Sequence, residues 1–113
     1  MSAAKLPNSH QAAIADTKLT GYLLNDEHPR GKSKAKFFKS FGFSREEWET
    51  LGAALIVQGQ INSVVATSTD TWGTRYEVLC NVPTPDQRNP CIRTVWQITS
   101  ANPLPQLITA IPK

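Results

Sequence analysis

Apolar residues recur at helical spacing in the first half of the chain and alternate in the second, with the change just after Gln60. Leu19, Tyr22 and Leu23 stand at i, i+3, i+4, which predicts a short helix over 17–24 with Asp16 as its N-cap. The stretch from Asn25 to Gly31 is rich in turn formers, and Pro29 and Gly31 stop any helix there. Ser33 is placed to cap a second helix over 34–41, which Gly42 ends. Ser44 and Glu47 have capping-box spacing for a third helix. Trp48, Leu51 and Leu55 supply its buried face, and Gly59 is its expected stop. Residues 1–15 read as a lead-in whose clear apolar anchor is Ile14.

Beyond Gln60 the period becomes two. A β-branched segment over 61–68 and a turn over 71–74 come first. A strand over 75–82 then places Tyr76, Val78 and Cys80 on one face. A Pro-, Asp- and Asn-rich loop over 83–90 leads to a strand over 91–99, with Ile92, Thr94, Trp96 and Ile98 on one face. Asn102 to Pro105 turns the chain into a last strand over 107–111. Four strands with short loops and no helix between them imply an antiparallel meander. The helices come first and must cover one face of it, so residues 16–113 read as a single α+β domain of two layers.

A chain of 113 residues buries a core without staples. The longest apolar run, Ala53 to Val57, is too short to span a bilayer, and no membrane association is expected. The first residues contain no hydrophobic signal core, so the expectation is a cytoplasmic protein, unless the chain is exported within a larger one. Cys80 and Cys91 fall on neighbouring strands and could meet across them, but in the cytosol they are expected to be reduced core residues. They form no CxxC and have no nearby His, so neither a metal site nor a cofactor is expected. A Gly-rich phosphate loop, a nucleophile elbow and HExxH are also missing. Glu46, Glu47 and Glu49 sit where a helix N-terminus favours acids, which explains them without catalysis.

Charge is unevenly spread. Five of the twelve Lys and Arg lie between His28 and Lys39 (Arg30, Lys32, Lys34, Lys36, Lys39), and no acid follows until Glu46. The other seven face nine Asp and Glu, so a block of +5 stands against a remainder near −2. A local cationic block beside aromatics is an electrostatic footprint for phosphate-bearing partners. Helical spacing divides it. Lys32, Lys36 and Lys39 share one face, either a phosphate-binding surface or a merely solvated one. Lys34 lies nearer the side of Phe37, Phe38 and Phe41, where it must reach water or find a partner. The three phenylalanines either stack bases or, as the spacing favours, fill the core. Trp72, in a turn, is the exposed aromatic, whereas Trp48 and Trp96 read as core.

Several stretches together resemble a domain of unknown function widespread in bacteria and cyanobacteria. These are Lys18-Leu19-Thr20-Gly21-Tyr22-Leu23-Leu24, His28-Pro29-Arg30-Gly31, Lys34-Ala35 with Phe38, Gly73-Thr74-Arg75-Tyr76-Glu77-Val78, Trp96, and Pro105-Gln106-Leu107-Ile108-Thr109. Such domains occur as short stand-alone proteins and at the C-termini of polymorphic toxins. By analogy the resemblance implies a compact toxin domain with the layout of ribonucleases resembling barnase, colicin D and RelE. Relatives carry His-Lys-Ala where this chain has Ser33-Lys34-Ala35, so acid–base work by that histidine would fall to another group here.

Cleavage through a ribose 2′-hydroxyl needs a base, an acid and cations for the developing phosphorane charge. His28 as base or acid, with Lys34 and Arg75 on the phosphate, would meet that need, and the other reading of His28 is a residue that closes its loop. Arg30, Lys32, Lys36 and Lys39 are the further phosphate-binding candidates. Thr94 and Thr109, on adjacent strands, either add hydroxyls to a site or serve β-propensity. His10 lies in the lead-in without an evident partner. Two functions follow as expectations: a toxin-related domain that binds RNA, with or without cleaving it, or an interaction module whose basic helix docks a small acidic, antitoxin-like protein.

Overall fold

The computed structural model describes residues 4–112. A turn of α-helix, α1 (Asp16–Lys18), runs directly into a π-helical turn (Leu19–Leu23), followed by α2 (Lys32–Ser40) and α3 (Trp48–Ile61). The strands β1 (Ser63–Asp70), β2 (Gly73–Asn81), β3 (Cys91–Ile98) and β4 (Gln106–Pro112) form one antiparallel sheet in the order β1-β2-β3-β4. This is the α+β meander that the sequence pattern predicts.

The core lies between α3 and the sheet. Tyr76, Val78 and Cys80 pair with Trp96, Thr94 and Ile92, and Val78, Ile92, Thr94 and Trp96 are fully buried against Leu51 and Leu55. Gly59 does not end α3; it lies inside the helix, and a Cβ there would stand 3.0 Å from Trp96 Cζ2. The missing side chain lets the helix approach the indole. Beside it, buried Gln58 donates from Nε2 to the carbonyls of Val78, Cys80 and Ile92 at 3.1, 3.2 and 3.3 Å. Its Oε1 accepts from Thr94 Oγ1 at 2.7 Å, and that hydroxyl accepts from Trp96 Nε1 at 2.8 Å. The reading of Thr94 as a site hydroxyl is therefore corrected: it satisfies buried polar atoms that would otherwise cost about 1–3 kcal/mol each.

Three helix starts differ from expectation, and none of the three N-cap residues makes a side-chain capping bond. Asp16 is the first helical residue, not the N-cap, and Ala15 occupies the cap. α2 begins two residues before the expected 34, while Ser33 is exposed and caps nothing. The main-chain N–H groups of Arg30 and Gly31, just ahead of α2, donate instead to His28 Nδ1, each at 3.0 Å. Ser44 Oγ accepts from Glu47 N at 3.2 Å in a separate turn, so α3 starts only at Trp48.

The expectation of reduced cysteines is also corrected, since Cys80 and Cys91 form a disulfide at the ends of β2 and β3. The loop between them returns so tightly that their Cα atoms are 4.2 Å apart, and both residues are only half-buried, so no apolar pocket keeps them as separate thiols. In the lead-in Leu6 is a deeper anchor than Ile14, at 3% exposure. Ala13 pairs in parallel with Gln106, exchanging hydrogen bonds with Pro105 O and Leu107 N. The lead-in thereby covers the start of the free edge of β4. The rest of that edge faces α1, the π turn and α2.

Candidate functional site

A groove of about 530 Å³ opens where β4 meets α1, the π turn, the loop over 25–31 and the first turn of α2. The π turn positions Tyr22, its fourth residue. The main-chain bond from Leu24 N to Leu19 O, 2.9 Å, spans five residues and buries Leu19, Leu23 and Leu24. Tyr22 is left half-buried at the rim, with its ring on the core margin and its hydroxyl in the groove. That hydroxyl lies 3.2 Å from Thr109 Oγ1 of β4.

Three cations line the groove, and no Asp or Glu is among its lining residues. Lys18 and Lys34 place their Nζ atoms 5.5 Å from the Tyr22 ring centroid. Lys34 Nζ also donates to Arg30 O at 3.3 Å, and the Arg30 side chain is the third cation. Burial works to raise the Tyr22 pKa. The hydrogen bond with Thr109 and the nearby ammonium groups of Lys34 and Lys18 outweigh it and hold the phenol below its ordinary value.

His28 stands edge-on to Tyr22, with ring centroids 5.0 Å apart. Its Nδ1 accepts two main-chain N–H bonds, so the ring that fits is the neutral tautomer with its proton on Nε2. The one lone pair of such a ring is already engaged by the backbone.

The structure thus brings His28, Arg30 and Lys34 together and leaves Arg75 elsewhere. Arg75 is exposed on β2, opposite Ser68 and Gln97 and two strands from β4. The groove lies at the β4 end of the sheet, and β3 stands between it and Arg75. Lys32, Lys36 and Lys39 line a different hollow, with Asp26, Pro29 and Ser33. Lys39 is not a free cation there, because Asp26 Oδ2 accepts from its Nζ at 2.8 Å. Ser33 lies on this side and not among the groove's lining residues.

Phe38 is fully buried, and Phe37 and Phe41 pack together, with the Arg88 guanidinium 4.2 Å from the Phe41 ring centroid. Phe38 is core, Phe37 packs against it, and Phe41 is half-buried beside Arg88, so the three rings do not form an open stacking platform. Trp72 is 76% exposed at the β1–β2 turn. Reading the chain alone missed Thr17, Lys18 and Tyr22 as groove residues. The available signal was Lys18 one helical turn ahead of a tyrosine, whose polar tip must find a partner wherever its ring is buried. Among the described residues no group of three or more His, Cys, Asp or Glu converges to hold a metal ion. No described helix is long and apolar enough to cross a membrane.

The fold is similar to that of a chain in the contact-dependent growth inhibition toxin–immunity protein complex from Klebsiella pneumoniae 342. The TM-score is 0.64 at 15% identity, and the match covers 88% of this chain and 98% of that one. At such identity the likeness is one of fold. No curated protein matches the chain. Residues 5–113 match the model of a family described as a domain of unknown function (DUF6883), and the chain belongs to that family.

Proposed function

We propose that this is a toxin-related domain that binds the phosphate backbone of RNA in the groove beside β4. One observation carries the reading: Lys18, Arg30 and Lys34 surround the Tyr22 and Thr109 hydroxyls with no carboxylate among the lining residues. Unneutralised cations around donors, in a cleft open on one side, suit an anion that brings its own counter-charge. The likeness to a chain of a toxin–immunity complex supports the toxin context. An RNA target would put the site of action in a cytoplasm.

Fluorescence anisotropy with a labelled single-stranded oligoribonucleotide tests this. Binding is expected at low salt, weakening steeply as salt rises, and Lys34→Ala should reduce it about tenfold, the effect of losing one charge-assisted hydrogen bond. Absence of binding at low salt would remove the reading.

A second reading has its own observation. Lys32 and Lys36 are exposed on the outer side of α2, with no carboxylate bonded to either among the described residues. That side suits docking of a small acidic protein, for which the toxin–immunity likeness is the support. Charge reversal at both positions should abolish co-purification of such a partner and leave RNA binding in the groove intact.

A further inference from the structure

A groove that binds RNA through its phosphates either stops there or cuts. What decides is whether it holds a group that can take the proton of the ribose 2′-hydroxyl. His28 does not qualify, because its Nδ1 lone pair accepts from Arg30 N and Gly31 N. No carboxylate lines the groove. The titratable groups facing Tyr22 are Lys18 from α1, His28 and Arg30 from the loop, and Lys34 from α2, while β4 contributes the neutral Thr109. Tyr22 is the one member of this set that becomes an anion, and it stands among the cations.

We propose that Tyr22 and Lys34 form the proton-transfer pair of a metal-independent RNA-cleaving site. The inference rests on the groove binding RNA. In the reactive form Tyr22 is the phenolate and Lys34 the ammonium. The phenolate oxygen takes the 2′-hydroxyl proton as the 2′-oxygen attacks the adjoining phosphorus and forms the new P–O bond. The P–O5′ bond breaks, and the 5′-oxygen leaves with a proton from the Lys34 ammonium. The products are a 2′,3′-cyclic phosphate and a 5′-hydroxyl. One proton passing from the Tyr22 phenol to the Lys34 amine restores the starting pair, so no outside acid or base is consumed. Lys18 and Arg30 stabilise the charge on the pentavalent phosphorus.

Three features hold the pair in place. Lys34 Nζ is tethered to Arg30 O, and the Tyr22 hydroxyl is hydrogen-bonded to Thr109. Gly31 packs so closely on the main-chain carbonyl of Tyr22 that a Cβ there would collide with it. The lowered phenol pKa agrees with the role, because it enlarges the phenolate fraction near neutral pH.

The test uses the full chain, an end-labelled oligoribonucleotide, and the same sequence made of deoxyribonucleotides. The wild type should cut only the ribose form and leave a 2′,3′-cyclic phosphate. Tyr22→Phe keeps the ring and should slow cleavage by about 100-fold or more while RNA affinity stays within about threefold. The wild-type rate should climb with pH through a midpoint below 10.0, the ordinary phenol value, since Tyr22 titrates below it. Thr109→Val, which removes a bond favouring the phenolate, should move that midpoint upward. RNA that is bound but not cut, cutting of the deoxyribose form, or wild-type cleavage by Tyr22→Phe would each overturn the proton-transfer pair and leave RNA binding standing. Failure to bind RNA would overturn the underlying reading as well.

Discussion

Lys34 and Lys39 are five residues apart on one helix, in a block that contains no acid, yet they stand in opposite circumstances. Lys39 reaches back thirteen residues to Asp26, and the pair lies at the surface with side chains 35% and 62% exposed. Lys34 turns into the groove, where it meets a phenol, a carbonyl oxygen and two more cations. The outer side of α2 is thus partly neutralised and open to water, while the inner side concentrates charge around hydroxyl groups. The same residue type makes a surface in one place and part of a candidate site in the other. The difference lies in what the rest of the chain brings opposite them.

That contrast can be broken from either side, and the largest effect is expected from the backbone that builds the groove. Gly31→Ala drives a Cβ into the Tyr22 carbonyl and should cost about 2–3 kcal/mol in denaturant unfolding. Gly21→Ala, on the same wall but with nothing within 4 Å of its Cβ, should be neutral or stabilising by up to about 1 kcal/mol. Equal costs for the two would show that the groove wall is not set by this contact.

Next comes the charge itself. If the sides differ as described, Lys39→Ala should change RNA affinity by less than about twofold, against the tenfold expected for Lys34→Ala. A larger loss from Lys39→Ala would move the RNA to the outer side. Asp26→Asn sharpens the comparison by releasing Lys39, and with the RNA in the groove affinity should again change by less than about twofold. The smallest effect is on stability: because the pair is exposed, Asp26→Asn should change unfolding free energy by no more than about 0.5 kcal/mol. Calorimetry showing several times that change would mean that the pair holds the loop in place.

Much of the architecture was legible because periodicity is local. Leu51 and Leu55 on a helix, or Ile92, Thr94 and Trp96 on a strand, state their face within a few residues, and those faces are the buried ones. Boundaries were less legible because several local turns compete for the same capping groups: His28 Nδ1 holds the N–H groups just ahead of α2, and Ser44 closes a turn of its own before α3 begins. The cysteines were misread because compartment and composition argue for thiols, while the closure of the loop over 82–90 is a property of backbone geometry. For the site, Lys34 and His28 were found through turn and helix chemistry. Arg75 was grouped with them by its type, and strand order places it elsewhere. Tyr22 was read as a core residue because its ring satisfies the apolar pattern and its hydroxyl leaves no trace in that pattern.

By itself the amino-acid sequence determined the order of helices and strands, the antiparallel meander, and a surplus of cations in one twelve-residue block. These depend on neighbours a few residues apart, where spacing and side-chain type act directly. Which cations share a groove was decided only by tertiary structure. The contact that closes it, Tyr22 with Thr109, joins residues 87 positions apart. It exists because the π turn tilts one side chain outward while the last strand of the sheet comes to rest beside it.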